Sequence, residues 1–411
     1  MIHASRPATG PSAVAPERKK VRLAWPDVAK GLSIIGVVVL HVCLEVPNGM
    51  ETALAGVNHV LDPLRMCLFF LVSGLFSAKV MRMSFSELFC RRLWFFIVPY
   101  VLWTPVEMSL KRRQWELLFD QEMPGPWTYV GAVFSSENMY WFLWALIAFN
   151  IFLWATRRLP RWAALALTLT PLLILPLNQE FTAVAQAIMF LPVFMVGVHF
   201  SLAIRQFATE PVAPVKVVAS VALYIAGFGA YAVWRLVADF GLDPVAWPLW
   251  PGAFVRPDEM WIVVRAVGQM LMLPAAVLGA LALSKIPFVS GFLQFVGRHT
   301  LPIYLGHPIA LTLVFTPMFL ATDGMEIGTG GGEFATRTGV WLAVGMVAAA
   351  VGSFALWALA RVPVIGWSLK PPAIEPLRQR ILARAHRHHS AREDSAGTQR
   401  IGQSTGRREH D

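Results

Sequence analysis

Charged side chains are scarce in this 411-residue chain, where aspartate, glutamate, lysine and arginine together make up 15% of the sequence. Soluble globular proteins carry about 25% charged residues. Here 56% of the residues are hydrophobic, and the mean hydropathy is +0.55. This composition excludes an ordinary soluble enzyme and also a disordered chain. It predicts an integral membrane protein.

Cysteine is rare as well, which limits the chemistry available. Cys43, Cys67 and Cys90 all fall in or beside apolar stretches, and their odd number and spacing give neither a disulfide framework nor a metal-ligand pattern. A phosphate-binding glycine loop is also missing, because the glycine run at 328–332 lacks the Gly-x-Gly-x-x-Gly spacing after a strand. We therefore expect no metal centre and no compact nucleotide site.

Long apolar stretches recur along the chain, each roughly long enough to cross a hydrocarbon core of about 30 Å. They are bounded by polar residues or by turns rich in proline and glycine. We count ten, at residues 32–46, 60–81, 93–110, 140–155, 162–177, 182–204, 215–238, 261–283, 301–321 and 340–361. The predicted fold is an all-α polytopic membrane helix bundle with about ten transmembrane helices.

The positions of lysine and arginine predict the orientation, because short cytoplasmic loops carry the excess of positive charge. With the N-terminus inside, 27 of the 35 basic residues fall on inner segments, while the outer loops are acidic. Both termini are thus predicted to be cytoplasmic, in the inner (cytoplasmic) membrane of the cell. The run Lys111-Arg112-Arg113 does not fit this pattern, because it falls on the outer side.

Three segments follow from this distribution. Residues 1–24 are predicted to be a polar, basic cytoplasmic N-terminus, residues 25–369 the membrane domain, and residues 370–411 a basic, disordered cytoplasmic tail. Such a tail is attracted to anionic lipid head groups. Nucleic-acid binding is not expected, since no aromatic residues interleave with its charges. With no soluble catalytic domain, any chemistry must be done by polar groups in the bundle or at its ends.

His41 is the sharpest candidate for such chemistry, because ionisable side chains at membrane depth are costly unless they are paired or hydrated. It lies eleven residues beyond Lys30, which is about 16 Å of helix rise. That distance places it near the middle of the membrane or slightly outside it. A neutral imidazole there can take a proton from a hydroxyl group. A histidine that only joins two helices by a hydrogen bond would give the same pattern.

Around His41, the order of Asp27, Lys30 followed by Gly31, and His41 itself resembles the first helix of the integral-membrane acyltransferase-3 family. The likeness is to its polysaccharide O-acetylase branch in particular. Two further segments carry the resemblance. Residues 69–74, which include Ser73, are similar to a family Phe-Phe-x-x-Ser-Gly motif, and residues 297–307 are similar to its Gly…Ser-x-x-Ile-Tyr-Leu-x-His segment.

The start of the predicted third helix departs from the family pattern. Residues 89–94, leading to Pro99, are similar to the basic segment that begins the third helix in the family. Residues 141–143 are similar to the aromatic start of the family's fourth helix. The family commonly has two arginines separated by two residues, whereas Arg91 and Arg92 are adjacent here. In the last motif Thr300 replaces the usual serine, and Pro302 lies inside the segment.

The resemblance implies an enzyme that takes an acyl group, usually acetyl from acetyl-coenzyme A, and places it on a hydroxyl of an envelope glycan or glycolipid. The catalytic residues that it implies are His41, Lys30 and Asp27. The basic residues expected to bind the polyanionic coenzyme A are Arg91, Arg92 and Arg298. The residues expected to contact substrate are Ser73, Trp141, Tyr304 and His307.

Alternatives stay open for the mechanism, for the roles of single residues and for the function of the protein. His41 either deprotonates the acceptor hydroxyl for direct attack or is itself transiently acylated. Asp27 also suits a helix cap, Ser73 close helix packing, Arg91 and Arg92 an orientation signal, and Tyr304 an interfacial anchor. The competing function is a glycolipid or polysaccharide transporter without chemistry. A transporter would favour internal repeats, and the sequence shows none that is convincing.

The acceptor is expected on the outer side of the membrane. The loop at 239–260 and its border are rich in proline and tryptophan, with Trp247, Trp250 and Trp261 near the membrane edge. Aromatic rings stack on sugar faces, and they also act as anchors at the lipid head groups. This loop favours a membrane-linked glycan or glycolipid, such as a trehalose-lipid type acceptor, over a secreted polysaccharide.

Overall fold

The computed structural model of the chain describes residues 23–122, 125–178, 180–209, 211–321 and 337–375. These residues are largely helical, and the one short antiparallel ribbon among them pairs β1 (Val245–Ala246) with β2 (Phe254–Val255). Within the described chain, eight helices are long and apolar enough to span a membrane. The prediction of an all-α polytopic membrane bundle is confirmed.

The helices of the described chain are numbered in sequence order. The α-helices are α1 Trp25–Glu45, α2 Ala53–Leu75, α3 Phe85–Leu88, α4 Trp94–Phe119, α5 Pro126–Ser135, α6 Trp141–Ala155, α7 Arg161–Ala166, α8 Thr182–His199, α9 Ser201–Phe207, α10 Pro214–Asp239, α11 Pro257–Leu283, α12 Pro287–Arg298, α13 Thr300–Ala321 and α14 Thr338–Leu359. The tighter 3-10 segments are Gly49–Glu51, Ala78–Arg82, Leu167–Leu177 and Ile365–Ser368. A π-helical turn, Phe89–Leu93, joins α3 to α4.

All ten predicted apolar stretches are helical. Eight of them form helices long enough to span a membrane, and the other two form shorter helices. One is α6, and the other is α7 with the 3-10 segment that continues it. Pro171 and Pro176 explain the second case, because proline removes a backbone N–H donor and breaks the α-helical hydrogen-bond ladder. The chain there bends at Ile174, whose φ and ψ of −111° and 27° are not helical.

Helix α1 lies in the interior of the bundle, packed against α2, α11, α12, α13 and α14. Two glycines allow its backbone to lie directly on α12. A Cβ atom at Gly31 would come within 2.1 Å of the Leu293 carbonyl oxygen, and one at Gly297 within 1.9 Å of the Asp27 carbonyl oxygen. Small residues permit such close contact between membrane helices. The α1–α12 contact thereby fixes α1 relative to α13, which follows α12 directly.

The ends of the chain lie mostly outside the described residues, which leave out 1–22 and 376–411. Of the predicted tail, residues 370–375 are described, and they lie against the start of α4. Trp94 Nε1 donates a hydrogen bond of 3.0 Å to the Pro372 carbonyl oxygen. Arg91 forms a 3.1 Å ion pair with Glu375.

Candidate active site

Two histidines from distant parts of the sequence meet inside the bundle. His41 Nδ1 on α1 lies 2.7 Å from His307 Nε2 on α13. The two rings are within 7° of parallel, with centroids 5.0 Å apart, so they lie nearly side by side and share an in-plane hydrogen bond. His307 is only 1% exposed, while His41 is partly accessible. His41 therefore has a specific partner inside the bundle, His307.

The hydrogen-bond partners define which nitrogen carries each proton. His307 Nδ1 lies 2.8 Å from the Ile303 carbonyl oxygen, which only accepts, so this nitrogen is the donor. In a neutral ring the other nitrogen, Nε2, is then an acceptor, and His41 Nδ1 must donate to it. This assignment follows from the network of partners. It leaves His41 Nε2 with a free lone pair, which is the form that a general base requires.

A cavity of about 500 Å³ runs from the Lys30 end of α1 toward the histidine pair. Its walls are mostly apolar and aromatic, and the basic residues that line it are Lys30, Arg92 and Lys370. At the other end the lining includes Val37 and Tyr304, which lie about one helical turn before His41 and His307. The cavity thus combines three basic residues with apolar walls that extend to within about one helical turn of the histidines.

Lys30 and Arg92 are held in place by different contacts. The Lys30 ammonium lies 5.7 Å from the centroid of the Phe69 ring and 5.5 Å from that of Phe76, both within the range of a cation–π interaction. Arg92 donates to the Phe76 carbonyl oxygen at 3.3 Å and to Ser77 Oγ at 2.6 Å. Its Nε atom is buried without a hydrogen-bond partner in the described chain.

The other two arginines that were predicted to bind coenzyme A do not line this cavity. Arg91 is exposed and pairs with Glu375. Adjacent residues on a helical turn point in different directions, so the π-helical turn sends Arg92 inward and Arg91 away. Arg298 Nε lies 3.2 Å from Asp27 Oδ2, and Arg298 also donates to Gln294 at 2.7 Å.

Asp27 contacts Arg298 and does not contact the histidine pair. Its carboxylate and Arg298 form an ion pair between the first turn of α1 and the last turn of α12. It lies fourteen residues before His41 on the same helix, which is about 21 Å of rise. The structure therefore places Asp27 at the far end of α1, where it helps to hold α12.

The four residues that were predicted to contact substrate have different surroundings. Ser73 and Tyr304 line the cavity, and His307 contacts His41. The Tyr304 hydroxyl donates to the Met139 carbonyl oxygen at 2.7 Å and accepts from the Phe142 N–H at 3.2 Å, so it joins α13 to the start of α6. Trp141 is not among the residues lining the cavity; it stacks on Phe190 with ring centroids 5.8 Å apart.

Two cations near His41 were not recognised as site residues from the sequence. Arg65 on α2 is 6% exposed, and its Nη1 donates to the Gly36 carbonyl oxygen at 3.2 Å. Lys111 on α4 forms a 2.9 Å ion pair with Glu45, four residues beyond His41 on α1. Both act electrostatically on His41. The sequence did offer a signal for Arg65, since it is a lone arginine inside an apolar stretch and such residues are costly at membrane depth.

The contact with Glu45 also accounts for the basic run on the predicted outer side. Each of its three members has a local partner, since Arg112 lies over the Trp115 ring at 5.0 Å and Arg113 pairs with Glu116. Gln114 adds a 3.0 Å hydrogen bond to Glu45. Lys111 and Gln114 therefore join α4 to the end of α1, whereas Arg112 and Arg113 have their partners on α4 itself.

Comparison with known proteins adds the family. Residues 23–358 match the acyltransferase-3 family model, described as an acyltransferase domain. Searches of the curated proteins and of the solved structures returned no match. The matched range contains both histidines and nearly all of the cavity lining. The chain belongs to the acyltransferase-3 family and is a multi-pass membrane acyltransferase.

Proposed function

We propose that the protein is an O-acyltransferase, in which an acyl-coenzyme A donor reaches His41 through the cavity that begins at Lys30. The observation that carries this proposal is the 2.7 Å contact between His41 and His307, together with the Ile303 carbonyl that orients His307. This chain of hydrogen bonds leaves His41 Nε2 available as a base, about one helical turn beyond the Val37 that lines the cavity.

The donor fits the cavity by its charge and shape. Acyl-coenzyme A has a polyanionic nucleotide end and a thin pantetheine arm that carries the thioester. Lys30, Arg92 and Lys370 supply cations at one end, and charged donors suit phosphate groups. The mostly apolar channel suits the arm, and its volume of about 500 Å³ falls in the range of small-molecule pockets. In this proposal the Lys30 end faces the cytoplasm.

The reaction is a direct acyl transfer with His41 as general base. The acceptor hydroxyl attacks the thioester carbonyl carbon, and its proton passes to His41 Nε2. The imidazolium that forms is stabilised by its Nδ1–H hydrogen bond to His307 Nε2. The carbon–sulfur bond then breaks, and the coenzyme A thiolate takes the proton back from His41.

The acceptor is an envelope glycan or glycolipid hydroxyl, and the acyl group is acetyl. Two features support an acceptor from the membrane. His41 lies within an apolar helix of spanning length, and Trp247 and Trp261 lie beside the β1–β2 ribbon and the start of α11. These rings suit stacking on a sugar that is held at the membrane surface.

Labelled acetyl-coenzyme A distinguishes this function from transport. Purified protein in liposomes made from envelope lipids is incubated with the labelled donor on the Lys30 side, and the products are separated by mass spectrometry. We expect acetyl label on a hydroxyl of a lipid or glycan, formed by the wild type and not by His41→Ala. Movement of unmodified glycolipid across the bilayer with no label incorporated would support a transporter and contradict the proposal.

A further inference from the structure

A stripe of polar side chains runs along one face of α4, which belongs to a helical segment of spanning length. Its members, Tyr100, Thr104, Glu107, Lys111 and Gln114, are alternately four and three residues apart, so they share a face of the helix. All of them except Lys111 are buried. Thr104 Oγ1 and Gln114 Oε1 have no hydrogen-bond partner in the described chain. Polar and ionisable groups in a membrane-spanning helix are costly, so they mark a functional position by default.

The C-terminal part of this stripe contacts Glu45, the last residue of α1. Lys111 Nζ lies 3.1 and 2.9 Å from the two Glu45 carboxylate oxygens, and Gln114 Nε2 donates to Glu45 Oε1 at 3.0 Å. Glu107 accepts a hydrogen bond from the Met139 N–H and interacts electrostatically with Lys111. We call Glu45, Glu107, Lys111 and Gln114 the Glu45 cluster. The side chains of Glu45 and Lys111 are 17% and 28% exposed, so the cluster is accessible to a ligand.

The Glu45 cluster lies on the same face of α1 as His41. Val37, His41 and Glu45 are four residues apart, so they follow one another along one face with about 6 Å of rise at each step. Val37 lines the cavity proposed for the donor, and Lys111 acts electrostatically on His41. Helix α4 also packs against α13, which carries His307. The histidine pair therefore lies between the donor cavity and the Glu45 cluster along the axis of α1.

We propose that the Glu45 cluster binds the sugar of the acceptor through hydrogen bonds to its hydroxyl groups. This inference rests on the proposed function, in which His41 takes the proton of an acceptor hydroxyl. A sugar hydroxyl both donates and accepts, so it can pair with a carboxylate, an ammonium or an amide, and hydrogen bonds to charged groups are the stronger ones. Because Glu45 lies one helical turn beyond His41, a sugar held there brings a neighbouring hydroxyl to the histidine.

Photolabelling tests the binding site without any need for activity. The probe is octyl glucoside with a diazirine on the glucose, compared with a matching octyl diazirine without the sugar, and the protein is held in phosphatidylcholine nanodiscs. We expect cross-links within residues 41–45 and 107–114, with the sugar probe labelling about fivefold above the sugar-free probe. Glu45→Gln keeps the size of the side chain but removes its charge, so it should reduce this labelling about fivefold.

The matched control is Glu116→Gln, because Glu116 is a carboxylate near the same end of α4 that pairs with Arg113 on its own helix. It should label like the wild type. Gln114→Met, which keeps the length of the side chain and removes its amide, should reduce labelling as Glu45→Gln does. Equal labelling of Glu45→Gln, Gln114→Met and the wild type, or labelling confined to the walls of the donor cavity, would overturn the inference.

A transfer assay separates failure of this inference from failure of the proposed function. Acetyl transfer to an envelope-lipid extract is measured over a range of extract concentrations. Glu45→Gln should need about ten times more extract for half-maximal rate and the same concentration of acetyl-coenzyme A, whereas Glu116→Gln should match the wild type. A lower Tm with unchanged extract dependence in Glu45→Gln would show that the cluster only joins α1 to α4, and would refute the sugar site alone. No transfer by the wild type to any acceptor would refute the proposed function itself.

Discussion

Two polar contacts join α1 to the consecutive helices α12 and α13, and they differ in burial and in chemistry. At the start of α1, Asp27 pairs with Arg298, whose side chain is 47% exposed. Further along the helix, His41 bonds to His307, which is 1% exposed. Asp27 itself is 8% exposed, but an ion pair with one partner open to solvent contributes little to stability. A buried polar pair at membrane depth is costly to keep. In our proposal the first contact holds α12 against α1, and the second takes part in catalysis.

The largest effect is expected at His41. His41→Ala should reduce acetyl transfer by about 10²–10⁴-fold, because it removes the proposed general base, while insertion and thermal unfolding stay close to wild type. The rate of label transfer from acetyl-coenzyme A checks this. His59→Ala is the matched control, since His59 is a histidine on the neighbouring helix α2 and is not part of the pair. Wild-type activity in a well-expressed His41→Ala protein would contradict the assignment.

A smaller but still large effect is expected at His307, which we regard as a positioning residue. His307→Leu removes the acceptor for His41 Nδ1–H, and loss of such an orienting partner should reduce kcat about 10–100-fold. His307→Gln offers a carbonyl oxygen in its place and should recover most of the rate. Equal loss in the two variants would show that His307 acts through packing and not through its hydrogen bond.

The adjacent arginines should respond differently, because only Arg92 lines the donor cavity. Arg92→Gln should raise the KM for acetyl-coenzyme A about tenfold, as expected for the loss of one charge-assisted interaction. Arg91→Gln is the control and should leave this KM unchanged. Steady-state kinetics at low and high salt check the prediction, since exposed charge interactions are screened by salt. Equal shifts of the KM for acetyl-coenzyme A in Arg91→Gln and Arg92→Gln would contradict the prediction that only Arg92 binds the donor.

The smallest effect on the reaction is expected at Asp27. Asp27→Asn weakens the ion pair with Arg298 and should cost about 1 kcal/mol or less, seen as a small decrease in Tm. The rate of transfer should stay within about threefold of wild type. If Asp27→Asn instead lost activity as His41→Ala does, at an unchanged Tm, then Asp27 would have a direct role in the reaction and the contrast between the two contacts would be wrong.

Local patterns were enough to predict the helical membrane fold and several of the residues that come together at the candidate site. The ten apolar stretches follow from hydropathy along the chain, and each of them is helical. Lys30, Ser73 and Tyr304 line the cavity of about 500 Å³. His41 and His307 were both identified from short motifs. The length and polarity of single helices were enough to predict these features, and no knowledge of how the helices pack was needed for the prediction.

Contacts between distant residues could not be predicted in the same way. The His41–His307 bond joins residues 266 positions apart, and the pairing of Asp27 with Arg298 depends on how α12 packs against α1. The opposite directions of Arg91 and Arg92 come from a π-helical turn, which a basic motif does not show. Arg65 and the Lys111–Glu45 pair became site residues only when α2 and α4 were seen beside α1.

The central claim is that His307 contributes to acyl transfer through His41, and a double-mutant cycle tests it most directly. Transfer rates from labelled acetyl-coenzyme A are measured for the wild type, His41→Ala, His307→Leu and the double variant, each checked for insertion and Tm. The account predicts that the double variant is no slower than His41→Ala, because His307 has no role once its partner is gone. Losses that multiply, with the double variant a further 10–100-fold slower, would contradict it.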